Sequence, residues 1–401
     1  MPVYKYSGRT TSGEMKKGTI TANSEKEAIA KLRNDGIHPR EIVESTSILH
    51  KEISIDPKVK NEDFVIYCRQ FATLIRAGIS IVEATHILAG QTSSKPLKNA
   101  LFTIEEEVRA GTSFSSAAQK NEAIFPSLFV NMMRVAEATG NLDSTLDRLA
   151  NYYEKQFKLK KSIQSTLIYP LVLLIAIIVV SISLLVVVVP RFSEMFEDFG
   201  AELPFITIFV LGISDFLQGF WWIFLLFGIG VPVIFNLMYK RNTQFHYQVH
   251  YILLKLPIFG PLLQKSAIAQ MTRTLSSLFS SSVPILQALK IVERVVNNPI
   301  IGKVIKEAHD SLEKGSTLSA PLEKSWLFPP LVTQMTAIGE QTGSLDYMLE
   351  KVADFYEDDV DRTVDSLKAL IEPLMIIILA IAVGTIVLSI MVPMFSLFEQ
   401  M

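Results

Sequence analysis

The chain has 401 residues and one cysteine, Cys68, so it can form neither an intrachain disulfide nor an all-cysteine metal cluster. A lone thiol in such a context reads as a small buried hydrophobe. Charge is scarce too. Only 19% of residues are charged and the net charge is −2, which excludes bulk attraction to nucleic acid. No phosphate-binding loop occurs: "GSTLSAPLEKS" has the wrong spacing, and the "GIG" at Gly228–Gly230 lies in an apolar run with no strand before it. Zinc-protease and calcium-loop patterns are absent. His246 and His250 stand at a metal-compatible spacing but lack an acid or thiol cluster nearby, so they read as juxtamembrane surface residues. The opening "MPVYKYSGRTTSGEMKKG" has no apolar core, which predicts no secretory leader and a cytosolic N-terminus. With no convincing polar constellation, the chain is expected to be no enzyme and to need no cofactor or metal.

What the chain does have is apolar length. Hydrophobic residues make up 49% and mean hydropathy is +0.32, too apolar for an ordinary soluble protein. Three runs are long enough to cross a bilayer as helices: residues 167–190, 220–239 and 370–393. Trp221 and Trp222 open the second and suit a headgroup boundary. Residues 191–219 read as a short external loop with an interfacial helix, because Asp215 argues against lipid exposure. Lys155, Lys158, Lys160 and Lys161 precede the first run, Lys240 and Arg241 follow the second, and Arg362 and Lys368 precede the third. Basic residues stay in the cytosol, so the N-terminus and two large segments are expected inside and the C-terminus outside.

Residues 1–50 read as a small α+β module. "VYKYSG" and "GTITA" alternate as strands do, and "REIVE" adds an edge strand. "SEKEAIAKLRNDG" has a Ser24 cap, a Glu27 capping box and a terminal Gly36. Residues 61–166 and 240–369 are helical throughout, and they are copies. "RQFATLIRAGISIVEATHIL" from Arg69 matches "RTLSSLFSSSVPILQALKIV" from Arg273 at an offset of 204; after one lost residue, Gly140 meets Gly343 and Pro190 meets Pro393 at 203. The fold class is therefore mainly α: a polytopic membrane protein with two duplicated helical bundles, three transmembrane helices and the small N-terminal module.

Each copy contains "EATGNLD" or "EQTGSLD". Gly140 and Gly343 end one helix in a left-handed conformation. Asn141 and Ser344 cap the next, whose Leu142, Leu146, Leu149 and Tyr153 (Leu345, Leu349, Val352 and Tyr356 in the second copy) form a bundle seam running on toward the membrane. Pro170 and Pro373 are expected to kink these stalks. Glu137 and Glu340 have two readings, a solvated acid in a helical hairpin or a contact for a partner or ion, and Thr139, Gly140, Thr342 and Gly343 belong to the same candidate motif. The stalks also differ in sign: Lys155 and Lys158 in copy one stand where copy two has Asp358 and Asp361. Pairing of these charges, within one chain or between subunits, competes with a solvated surface.

On these features together, with "AGISIVEA" and "SSVPILQA", "AGTSFSSA" and "KGSTLSAP", the chain resembles the inner-membrane platform proteins of type IV pili and type II secretion systems over essentially its full length. The resemblance implies a non-enzymatic role in the bacterial inner membrane, coupling a cytoplasmic assembly ATPase to extraction and polymerisation of pilins or pseudopilins. It also implies contact with other inner-membrane assembly proteins and self-association into a homo-oligomer. Ser282 departs from the pattern where the first copy has Gly78, which puts the shape of the second hairpin in doubt. A transporter or channel component and a signalling adaptor are the rival readings; Asp215 as the sole candidate membrane acid weighs against transport.

Overall fold

A computed structural model of the chain describes residues 3–10, 15–21, 25–34, 36–44, 59–192, 205–257, 259–296 and 298–400. It divides into two compact units, Met1–Pro57 and Lys58–Met401. In the first, β1 (Val3–Thr10) pairs antiparallel with both β2 (Met15–Thr21) and β3 (Ile37–Glu44), in the order β2-β1-β3. The register against β3 slips at Ser7/Gly8, where a Cβ on Gly8 would stand 2.7 Å from the His38 carbonyl, so the bulge admits only glycine. Helix α1 (Glu25–Asn34) packs Ala28 on Tyr4 and ends before Gly36, which turns left-handed at φ 71°. The Ser24 cap lies outside the described residues.

The second unit is helical and repeats itself. Its first half runs α2 (Asn61–Arg76), α3 (Ile81–Gln91), α4 (Lys95–Arg109), α5 (Phe114–Gln119), α6 (Ser127–Thr139) and α7 (Leu142–Ser183). Helices α8 (Phe205–Gly219), α9 (Trp221–Arg241) and α10 (Thr243–Lys255) follow. The order then recurs as α11 (Phe259–Ser280), α12 (Ile285–Val295), α13 (Pro299–Glu313), α14 (Ser319–Lys324), α15 (Pro330–Thr342) and α16 (Leu345–Gln400). The copies fill equivalent core positions with different chemistry. Phe64, Tyr67, Phe71, Phe114 and Phe129 form an aromatic cluster in the first, with Phe64 and Tyr153 edge-on at 5.0 Å. Ile268, Met271, Leu275, Leu318 and Val332 take those places in the second. A single buried cluster contains both sets, so the halves share one core.

The second hairpin keeps the shape of the first despite the loss of glycine. Gly78 sits at φ 84° and Ser282 at φ 60°, and each turn makes the same two backbone bonds: Gly78 to Ile75 and Ile79 to Leu74, Ser282 to Phe279 and Val283 to Leu278. Tertiary packing holds a serine in a region that L-residues enter at about 1–2 kcal/mol. Its side chain is exposed, so Ser282→Gly is expected to raise stability by about 0.5–1 kcal/mol, net of glycine's greater freedom when unfolded. An unchanged or lower melting temperature would show that the turn is not strained.

Helix α7 continues through a wider turn at Leu184–Val188 and on to Phe192, making a 51-residue rod of roughly 75 Å. The corresponding stretch of α16, Leu345–Val392, is 48 residues and roughly 72 Å. Both are long and apolar enough at their far ends to cross a membrane. Helical structure continues through Pro170 and Pro373, and α7 widens at Leu184–Val188. Such a turn frees carbonyls, and Ser214 Oγ of α8 donates to the Leu185 carbonyl at 2.7 Å. Thr207 Oγ donates to the Ser389 carbonyl at 2.8 Å, and Val210 packs between Val189 and Ile386. Helix α8 thus ties the two rods together, its two small hydroxyls turned inward and Asp215 exposed.

Candidate interaction surface

The bundle seam explains how each rod is held. Leu146 and Leu149 of α7, like Leu349 and Val352 of α16, are buried against their own half. Beside this seam each copy carries an arginine clamp. Arg69 of α2 donates to Glu154 at 2.6 Å, Asp147 at 3.0 Å and Asn151 at 2.5 Å. Arg273 of α11 repeats it on Glu357 at 2.7 and 2.8 Å and on Asp354, with Glu350 at 4.0 Å. Their environments differ: the Arg69 side chain is 35% exposed and that of Arg273 only 8%, because the first half covers the second clamp.

That cover is the junction between the halves. Lys155 Nζ reaches Asp354 at 2.9 Å and Glu357 at 3.1 Å. The buried Tyr152 hydroxyl bonds Thr274 Oγ at 3.1 Å, and burial pushes that phenol up to about 12. Ser162 Oγ donates to Asp361 at 3.2 Å, and Gln287 donates to Asn131 at 3.1 Å. Lower down, Leu159 and Ile163 pack on Val360, Val364 and Leu367. Residue numbers rise together on both rods, from Lys155 with Asp354 to Val189 beside Ile386, so the rods are parallel.

The sequence-derived stalk charges are partly reassigned. Lys155 does cross to the other stalk, but to Asp354 and Glu357 rather than Asp358. Asp361 receives Ser162, not a lysine. Lys158 and Asp358 are exposed, and among the described residues no ion pair engages either. The contacts sit one helical turn away from the expected register because long side chains reach diagonally between parallel helices.

Glu137 and Glu340 are turned into their bundles. The Phe114 and Ser115 N–H groups donate to the Glu137 carboxylate at 2.7 and 3.2 Å. The Ser319 N–H and hydroxyl donate to Glu340 at 3.2 and 3.1 Å, and the Leu318 N–H joins them. Each carboxylate satisfies the otherwise unpaired N–H groups that open α5 or α14. Helix capping is the role these bonds give both carboxylates within the chain. Gly140 and Gly343 are left-handed at φ 76° and 71°, while Thr139 and Thr342 donate back to their own helices at Val135 and Ile338.

Arg69 and Arg273 head the two matching sequence stretches and their acidic partners recur at the 203-residue offset, but nothing local marks them as partners across some 80 residues. His246 and His250 meet on one atom: both Nε2 atoms lie 2.9 Å from the Tyr239 hydroxyl. Burial and the neighbouring His246 together hold the His250 imidazole below its ordinary range. His309, Asp310 and Glu313 also gather on α13, with one atom of each within 4.8 Å of the others, but both carboxylates are exposed, as acidic groups commonly are without a metal.

Acid should loosen both arginine clamps and, through Asp354, the junction between the halves. Burial acts against it, but hydrogen bonds from Lys155 and Arg273 hold the Asp354 carboxyl below its ordinary range; Glu154 is lowered by its bond to Arg69. Carboxyls lowered on folding contribute stability that is full above their unfolded value near pH 4 and is lost as pH falls through the folded one. The melting temperature is therefore expected to drop between about pH 5 and 3. Asp354→Asn should flatten part of that drop; an equally steep profile in the variant would remove Asp354 from the account.

Comparison with known proteins agrees with this duplicated layout. The family described as "Type II secretion system (T2SS), protein F" matches twice, over residues 67–190 and 271–393, and "Type II secretion system protein F, N-terminal domain" matches residues 1–43. The type IV pilus assembly protein PilC of Thermus thermophilus is 37% identical over 99% of this chain and 98% of its own length. PilC of Myxococcus xanthus is 36% identical over 98% and 94%, respectively. The type II secretion system protein F of Xanthomonas campestris pv. campestris is 32% identical over 99% of each chain.

Proposed function

Because this chain belongs to the type II secretion system protein F family, we propose that it is a non-enzymatic platform protein of the bacterial inner membrane, serving a type IV pilus or type II secretion machine. In this role it couples a cytoplasmic assembly ATPase to the extraction and polymerisation of pilin or pseudopilin subunits. One observation carries the mechanical part: two parallel helical rods, each continuous from bundle to apolar end, joined at the bundles by Lys155 and at the far ends by α8. A rotation or tilt imposed on the bundles is transmitted along such rods without bond-making chemistry.

The same geometry supports the topology. Bundles that share one core stand on one side of the bilayer, so a chain leaving through the end of α7 has to return before α11. Helix α9 fits that return: it has 21 residues, roughly 32 Å, and exposes Trp222, Leu226, Phe227, Ile229 and Ile234. The N-terminus and both bundles are then cytosolic, and the C-terminus external. Periplasmic reporter fusions should be active near residue 198 and inactive near residues 250 and 320; activity at 320 would overturn the scheme. Deletion should abolish filaments or secretion, and the detergent-extracted protein should retain a pilus-type ATPase. Intact filaments and secretion in the deletion strain, with no ATPase retained, would end the platform reading.

A further inference from the structure

The second bundle meets the bilayer through an element of its own. Helix α11 runs antiparallel to α16: Ser276 Oγ donates to the Asp346 carbonyl at 2.9 Å, and Lys265 Nζ reaches Asp359 at 3.0 Å. Nearer its start, Leu262 shares a buried cluster with Val364 and Leu367, and the apolar run of α16 opens at residue 370. Leu256 and Phe259 therefore stand at the cytosolic membrane surface. The other end of α10 stands there too, because Asn242 follows directly on α9. With both ends at one level, α10 lies along the surface, 13 residues and roughly 20 Å long, and turns 110° into α11. Asn242 and Tyr239 hold the first bend. The Asn242 side chain caps α10 by accepting from the Gln244 and Phe245 N–H groups, and Tyr239 bonds both His246 and His250 across the turn. At the second bend a Cβ on Gly260 would run into the Leu254 carbonyl, so the approach admits only glycine.

The side of α10 turned away from the core is apolar and basic. Tyr247 and Leu254 pack into the shared core, whereas Tyr251, Ile252, Leu256 and Phe259 are exposed, Ile252 at 61%. Trp326, between α14 and α15, joins them: it is 56% exposed, and its ring stands edge-on to Tyr251 at 6.4 Å. The next residue fixes its height, since the Leu327 carbonyl accepts from Gln264 Nε2 at 2.6 Å. Lys255 Nζ lies over the Tyr251 ring, 4.5 Å from its centroid. No Asp or Glu occurs between Asp215 and Glu293, a stretch that contains Lys240, Arg241 and Lys255. Among the described residues none of these three cations makes an ion pair. Glu323, close to Trp326 in sequence, is answered by Lys324 beside it. Continuity with α9 and the lack of carboxylates make a lipid surface the fitting occupant: rings and aliphatic groups suit the acyl boundary, and ammonium groups suit phosphates. An offset of 204 would put a counterpart of α10 at residues 39–51, but the chain there forms β3 as far as Glu44. The element belongs to the second half.

We propose that α10, with Leu256, Phe259 and Trp326, is an in-plane anchor. Its apolar side chains sink into the cytosolic leaflet, and Lys240, Arg241 and Lys255 engage the phosphates of anionic phospholipids. The proposal rests on the cytosolic placement of the bundles given above and adds the surface by which the second bundle is seated on lipid. A load on either bundle is then carried to the bilayer at α10 as well as along the rods.

The test uses full-length protein with Trp221→Phe and Trp222→Phe, which leaves Trp326 as the sole indole of the three. It is reconstituted without other proteins into nanodiscs of phosphatidylethanolamine and phosphatidylglycerol. Lipids brominated near the top of the acyl chain should quench about half or more of the Trp326 emission, and lipids brominated near the chain end much less. Independently, Ile252→Cys should react about tenfold more slowly with a water-soluble maleimide than Lys306→Cys on the exposed side of α13, with the buried Cys68 setting the background. Melting temperatures close to that of the parent protein would show that the variants fold. Unquenched Trp326, or Ile252→Cys reacting as fast as Lys306→Cys, would overturn the proposal. Protection of Ile252→Cys that disappears in discs holding one copy would assign the face to a second chain and overturn it too. Unquenched Trp326 with inactive reporters near residues 250 and 320 sinks the anchor alone; active reporters there with Trp326 quenched sink the topology instead.

Discussion

Arg273→Met is expected to destabilise the protein by about 2–4 kcal/mol, and Arg69→Met at the equivalent position by only about 1 kcal/mol. The two side chains reach equivalent positions, and although Arg69 meets the neutral Asn151 where Arg273 meets Asp354, that one partner does not set the size of the difference. Burial does. Arg273 is 8% exposed beneath the first half, and its loss strands Asp354 and Glu357 with Lys155 as the one cation left against them among the described residues. Arg69 is 35% exposed, and water can solvate Asp147 and Glu154 once it is gone. Methionine preserves most of the aliphatic stem, so the difference reports charge and hydrogen bonding rather than a cavity. Thermal melting of the two detergent-purified variants decides the matter. Equal shifts would mean that the halves do not cover the second clamp as the structure has it.

Removing the Glu340 carboxylate should cost about 2–3 kcal/mol, and removing that of Glu137 about 1–3 kcal/mol, because each substitution to alanine strands the donors that open a short helix. Leu318 N–H, Ser319 N–H and the Ser319 hydroxyl lose their acceptor in one case; Phe114 N–H and Ser115 N–H lose theirs in the other. Glutamine retains one acceptor oxygen and should recover roughly half the loss. Proteolysis between α4 and α5, or between α13 and α14, should quicken in the alanine variants before global unfolding. If Glu137→Ala and Glu340→Ala instead melt normally and lose only ATPase retention, these carboxylates contact a partner and the capping account is wrong.

The hairpin motif shows how far a local pattern can be read. Gly140 and Gly343 are legible because a left-handed residue closing a helix is a property of one dihedral, and the seam Leu142, Leu146, Leu149 is legible because helical period is a property of one segment. Ser282 was misleading for the same reason. Local preference favours glycine there, while packing of α11 against α12 enforces the left-handed turn on a serine. Glu137 and Glu340 invited a partner reading because an acid near a turn gives no sign of which N–H groups lie within reach. Those donors are some 22 residues away in the chain and arrive only when α5 or α14 folds back.

The stalk charges mark the boundary most clearly. Sequence alone established the duplication, its offset, the apolar runs and the opposed signs of Lys155 and Asp358, since composition and periodicity need no knowledge of neighbours. Which stalk face meets which could be decided only by tertiary structure. Tyr152 and Phe355 occupy the same place in the same aromatic-bearing stripe, yet one is buried and the other faces solvent. Nothing within either segment distinguishes them, because the relation between two rigid halves is set by how whole surfaces fit, summed over contacts nearly 200 residues apart along the chain.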